Sequence, residues 1–165
     1  VRTLLREGSI DFHGEFYDLD RCVLHPRCRT DGPPLMIGSV GPRMLDISLP
    51  HVDAWNIWWS QYGNTVEGFR SEKQRVDELI AAAGRTGEVV ATAAVAVQLE
   101  GGGGRQMGDD KDFDEVRPLT GSADELADQL REFEAAGAAH LQLVVDPITR
   151  ESIEWLADVL TAFRR

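Results

Sequence analysis

The chain has 165 residues, 42% of them apolar and 27% charged, the balance of an ordinary soluble domain with enough length to bury a core. Its 17 basic residues stand against 28 acidic ones, and a formal net charge of −11 makes nucleic acid and anionic membranes poor partners. No run approaches the roughly 18–20 apolar residues of a membrane span, and no secretory pattern stands at the N-terminus. Two cysteines, Cys22 and Cys28, make no disulfide framework, so a reduced, cytoplasmic setting is expected. The sequence begins at Val1 rather than Met, as a segment of a longer protein would.

Val1–Arg6 reads as the tail of a helix stopped at Gly8. Ile10–Phe12 and Glu15–Tyr17 flank His13-Gly14, which predicts a short hairpin with aromatics beside a glycine turn. Residues 26–34 carry Pro26, Gly32, Pro33 and Pro34 and form a connector without periodicity. From Leu35 the pattern becomes regular. Leu35–Ile37 is an apolar run, followed by the Gly38–Pro42 loop and a short helix through Leu49. Asp53–Trp58 is a second strand, and a helix from about Thr65 to Ala83 places Phe69, Val76, Leu79, Ile80 and Ala83 largely on one face, with Gly84 as its stop. Glu88–Leu99 is a third strand, rich in Val, Ala and Thr. The polar, glycine-rich residues 101–121 follow it. Ser122 and Glu125 form a capping box ahead of a helix with Leu126, Leu130 and Phe133 on one face, closed by Gly137. His140–Val145 is a fourth strand, and Thr149 opens a last helix carrying Ile153, Leu156, Leu160 and Phe163.

The order is four βα units in residues 35–165, preceded in 1–34 by a helix tail, a hairpin and a connector, all within one domain. Near-continuous apolar strands are buried on both faces, the mark of a parallel sheet covered by helices. An open doubly wound sheet and a barrel both satisfy that pattern. Four units are half of eight, so in a barrel the terminal strands would need partners.

Several residues invite chemistry. Gly38, Ser39, Val40, Gly41 and Pro42 lie between a buried strand and a helix start, with Arg43 next. Glycines there let a ligand approach the backbone, free N–H groups attract a phosphate, and Pro42 fits the first helical turn. A tight βα turn that merely needs glycine is an equal alternative. Trp55 and Trp58 serve either as packing or as a pocket wall, and Asn56 sits at the carboxyl end of its strand. Cys22, His25 and Cys28 have a ligand-like spacing, but no second Cys or His pair completes a zinc set, so no metal is expected. Asp109, Asp110, Asp112, Asp114 and Glu115 lack the spacing of a calcium loop, and a solvated segment placed to act as a lid is the better expectation. His51, Asp53 and His140 form no triad with any serine and are expected to be structural.

The stretch Pro33-Pro34-Leu35-Met36-Ile37-Gly38-Ser39-Val40-Gly41-Pro42-Arg43-Met44-Leu45, followed by His51-Val52-Asp53-Ala54-Trp55-Asn56, resembles a recurring segment of the luciferase-like monooxygenases. Leu4-Leu5-Arg6-Glu7-Gly8 and Phe12-His13-Gly14-Glu15-Phe16-Tyr17 resemble the lead-in of that family. The resemblance covers nearly the whole chain but only the C-terminal half of a typical member. It implies the C-terminal half of a (β/α)8 TIM barrel that uses the deazaflavin F-420 or, alternatively, reduced FMN. The phosphate would lie on Gly38–Arg43, at the end of the fifth barrel strand, and the match of Arg43-Met44-Leu45 and Trp55-Asn56 is closer to the deazaflavin branch. With F-420 the implied reaction is hydride transfer with a small organic substrate; with FMN it is activation of oxygen. Two departures stand out: Ser39-Val40 replaces a common second glycine, and Pro50 ends the following helix early. Groups facing the ring and substrate would lie mainly on the first four strands, so this half alone is expected to be incomplete for catalysis. The alternatives are a non-catalytic half-barrel that self-associates or complements a separate N-terminal half, and another βα enzyme whose loop holds a phosphorylated substrate.

Overall fold

The computed structural model of the protein describes residues 1–26, 32–85, 87–103 and 116–165. Helix α1 (Arg2–Glu7) ends at Gly8, whose φ of 75° only glycine adopts without strain and whose N–H returns to the Leu4 carbonyl at 2.9 Å. Strands β1 (Ser9–His13) and β2 (Asp18–Val23) pair antiparallel. The second arm therefore begins later than Glu15–Tyr17, where the sequence placed it. The Gly14 N–H donates to the Tyr17 carbonyl at 2.9 Å, which closes the turn over those residues and leaves Phe16 and Tyr17 exposed at its tip.

The larger sheet has four parallel strands in the order β3 (Met36–Gly38), β4 (Ala54–Ile57), β5 (Val90–Gln98) and β6 (His140–Asp146). Each is followed by a helix: α2 (Pro42–Ser48), α3 (Val66–Ala82), α4 (Ala123–Ala135) and α5 (Arg150–Phe163), with one 3-10 turn (Trp59–Gln61) after β4. The fold is thus mixed α/β around a parallel sheet. Local chemistry sets the boundaries. Thr65 caps α3 by accepting the Gly68 N–H, Thr149 caps α5 through the Ser152 N–H, and Ser122 and Glu125 complete the capping box of α4. Helix α2 gives way at Leu49, one residue before Pro50.

Side chains alternate across the strands, so one ring contact orients the sheet. Trp55 stacks on Phe69 of α3, which assigns Ile37, Trp55, Ile57, Ala93, Val95 and Val97 to the helix-covered side. Phe69 in turn meets Tyr62 and Phe133. Trp55, Trp59, Phe69 and Phe133 are fully buried, and burial of a side chain of that size contributes about 2–3 kcal/mol. The opposite side carries Asn56, Thr92, His140 and Gln142 by register.

Two packing expectations change. On α5 the buried residues are Ser152, Val159 and Ala162, while Ile153 and Leu160 are 56% and 47% exposed. The apolar stripe of that helix is wider than the surface that β6 and α4 offer it. Ala83 is exposed at the end of α3. Within the glycine-rich segment, Val116 is buried and Leu119 pairs with β5: its N–H reaches the Ala96 carbonyl at 2.8 Å, and its carbonyl takes the Gln98 N–H at 2.9 Å. That end of the segment is packed rather than solvated. Cys28 and the carboxylates Asp109, Asp110, Asp112, Asp114 and Glu115 lie outside the described residues. Among the described residues no helix is long and apolar enough to cross a membrane, and no group of three His, Cys, Asp or Glu residues could hold a metal ion.

Candidate functional site

Because the four strands are parallel, Gly38, Ile57, Gln98 and Asp146 all end at one edge of the sheet, where βα loops gather functional groups. The Gly38–Arg43 loop is the first of these. Gly41 is the N-cap residue of α2 with φ −69° and ψ 127°, Pro42 holds the first helical position, and Arg43 follows, exposed. Pro42 has no N–H to leave unpaired, and the N–H groups of Arg43 and Met44 have no intrahelical acceptor.

Neither glycine is demanded by this chain. Gly38 and Gly41 avoid the left-handed region, so other residues would fit their backbone. A Cβ at Gly38 would meet nothing within 4 Å, and one at Gly41 would meet only the Ser39 Oγ, at 3.7 Å. Gly38 pairs in register with Asn56, so its missing side chain leaves space on the uncovered side of the sheet, and that of Gly41 leaves space beside the loop.

The loop is tied down from beneath. Buried Trp55 donates its indole N–H to the Ser39 carbonyl at 2.8 Å. Arg75 of α3 donates Nη2 to the Val40 carbonyl at 3.0 Å, while its Nε and Nη2 also hold Glu72 Oε2 at 3.1 and 2.8 Å. Ser39 Oγ accepts the Gly41 N–H at 3.2 Å. The structure therefore brings Trp55 to the loop as a buried anchor rather than a pocket wall. Arg75 was not legible as a site residue: it belongs to a charged helical run whose pairing with Glu72 accounts for it locally.

The other sequence candidates separate from the loop. Asn56 accepts the Thr92 hydroxyl at 2.7 Å, a bond within the sheet. Asp53 accepts the Leu35 N–H at 2.8 Å and fixes the start of β3. Trp58 is half-buried beside Trp59, and His51 and His140 are exposed. A second opening, a cavity of about 770 Å³, lies at the ends of β5 and β6 between Gln98, Glu100, Thr120, Thr149, Glu151 and Trp155. Glu100 and Glu151 give this opening two carboxylates, and hydrogen bonds from its own backbone N–H and from Thr149 lower the Glu151 carboxyl from its ordinary pKa.

Solved structures share this fold. An F-420-dependent secondary alcohol dehydrogenase, in complex with an F-420–acetone adduct, superposes with a TM-score of 0.71 at 16% identity, over 99% of this chain and 59% of that one. The coenzyme F-420-dependent tetrahydromethanopterin reductase of Methanopyrus kandleri gives 0.67 at 16% identity, over 98% and 60%. EDTA monooxygenase of Chelativorans sp. BNC1 gives 0.66 at 11% identity, over 94% and 50%. At such identities the likeness establishes the fold, and the chain spans no more than three fifths of these relatives. No curated protein matches its sequence. The family model for luciferase-like monooxygenases matches residues 1–101, from α1 through β5. On that match the chain belongs to the luciferase-like monooxygenase family.

Proposed function

We propose that the chain is the C-terminal half of a (β/α)8-barrel oxidoreductase whose Gly38–Arg43 loop receives the phosphate of deazaflavin F-420, with FMN as the alternative cofactor. The observation that carries this reading is the unused space at Gly38 and Gly41, two glycines that neither backbone conformation nor packing requires. Donor chemistry fits the group: N–H groups at the start of α2, the Ser39 hydroxyl and Arg43 all suit an anion. When bound, the cofactor supplies the redox chemistry on a small organic substrate, and this chain holds its phosphate end in place. Two named relatives are F-420-dependent, which favours the deazaflavin within this reading.

Titration of the chain with F-420 and, separately, with FMN, followed by fluorescence, tests it. Saturable binding that inorganic phosphate competes away is expected; binding of neither cofactor would overturn the loop's assignment.

A second observation supports assembly with a complementary N-terminal half or with another copy. Strands β3 and β6 each pair on one side only among the described residues, and the buried Oε1 of Gln142 has no hydrogen-bond partner there. Sedimentation is expected to show a species larger than the monomer, and a well-behaved monomer at high concentration would count against it.

A further inference from the structure

We infer that Arg75 and Trp55 are positioning residues for the phosphate, acting through the orientation of two peptide groups; this rests on the cofactor-loop reading above. In a planar trans peptide the carbonyl and the following N–H point in opposite directions. Trp55 holds the Ser39 carbonyl at 2.8 Å, so the Val40 N–H of the same peptide faces away from the core. Arg75 holds the Val40 carbonyl at 3.0 Å, so the Gly41 N–H also turns away and meets Ser39 Oγ at 3.2 Å. Having accepted that bond, the Ser39 hydroxyl keeps its own hydrogen for an outside acceptor.

The outer side of the loop therefore presents the Val40 N–H and the Ser39 hydroxyl as donors, while the Ser39 and Val40 carbonyls are held against the protein. Rotation of the Val40–Gly41 peptide would exchange a donor for an acceptor at the place where a phosphate would lie. Glu72 limits where the guanidinium can go, because it takes both Nε and the same Nη2 that reaches Val40. Opposite charge on Glu72 also offsets that of Arg75, so Arg75 acts by geometry more than by its field.

The experiment compares cofactors with and without phosphate: FMN against riboflavin, and F-420 against its phosphate-free deazaflavin. The native chain is expected to favour the phosphorylated member of at least one pair. Arg75→Met is expected to weaken that member about tenfold and to leave the phosphate-free member unchanged. Arg75→Lys, which keeps one donor for the Val40 carbonyl, should recover part of the loss. Trp55→Phe, which keeps the buried ring and removes its N–H, should act in the same direction as Arg75→Met. Discrimination that survives both Arg75→Met and Trp55→Phe overturns this inference and leaves the cofactor reading standing. Equal loss of both members of a pair assigns the two residues to folding and also overturns it. A native chain that ignores the phosphate in both pairs overturns the cofactor reading together with this one.

Discussion

Asn64 brackets Ala96 through a single amide: its Nδ2 donates to the Ala96 carbonyl at 3.0 Å, and its Oδ1 accepts the Ala96 N–H at 2.9 Å. Strand β4 stops at Ile57, so β5 runs on without that neighbour, and the side chain replaces a missing strand. Asn64 has φ 53°, a conformation that asparagine tolerates better than most residues. Asn64→Gly keeps the backbone accessible and strands the buried Ala96 N–H, at a cost of about 2 kcal/mol in urea unfolding. Asn64→Ala should cost about 1 kcal/mol more, because alanine also resists the left-handed backbone. Equal stability of the two variants would remove the backbone part of this account.

Tyr62 gives a pH dependence. Its hydroxyl donates to the Ala94 carbonyl at 2.8 Å, and burial pushes its phenol well above the ordinary value near 10. The folded state thus holds the proton more tightly than the unfolded state does. Stability from this group is full below about pH 10 and falls as the pH rises from there towards the folded value. Tyr62→Phe should lower stability by about 1 kcal/mol at neutral pH and flatten its decline above pH 10. Unfolding curves between pH 8 and 11 would show whether the two slopes differ.

Gly68 lies in the first turn of α3, where alanine ordinarily stabilises a helix. Here a Cβ would stand 1.9 Å from the Tyr62 carbonyl oxygen. Gly68→Ala is therefore expected to lower stability by about 1–3 kcal/mol, against its helix propensity. A rise in Tm would mean that the Tyr62–Thr65 turn yields without cost.

Gly38 makes the opposite case. An alanine there meets no atom within 4 Å, so Gly38→Ala should leave Tm unchanged or raise it, by up to about 1 kcal/mol of stability. Affinity for the phosphorylated cofactor should fall, as the added methyl enters the open space on the uncovered side of the sheet where the loop begins. An unchanged dissociation constant would argue that no ligand enters that space.

Much of the fold was legible because its signals are local. Ser122 with Glu125 marks one helix start, Thr65 and Thr149 cap two others, and Gly84 and Gly137 adopt the positive φ that their positions predict. The shift of the hairpin's second arm from Glu15–Tyr17 to Asp18–Val23 was not legible, since register depends on which residues close the turn. At the loop, Gly38–Arg43 stands out by composition, but its anchors do not. Trp55 meets Ser39 from 16 residues away and Arg75 meets Val40 from 35, and nothing in either local sequence announces the contact. The Asn64–Ala96 bracket spans 32 residues and was missed for the same reason.

The hydrogen bonds around β5 also set where the sheet would breathe. That strand has β6 along one edge and β4, Asn64 and Leu119 in succession along the other. Strand β3 has three residues and, among the described residues, a single neighbour. Amide exchange should accordingly be slowest near Ala96 and fastest at Met36–Gly38, the strand from which the glycine loop hangs. Compliance at the glycine loop is here a matter of strand order, with the stiffest member of the sheet two places removed from it.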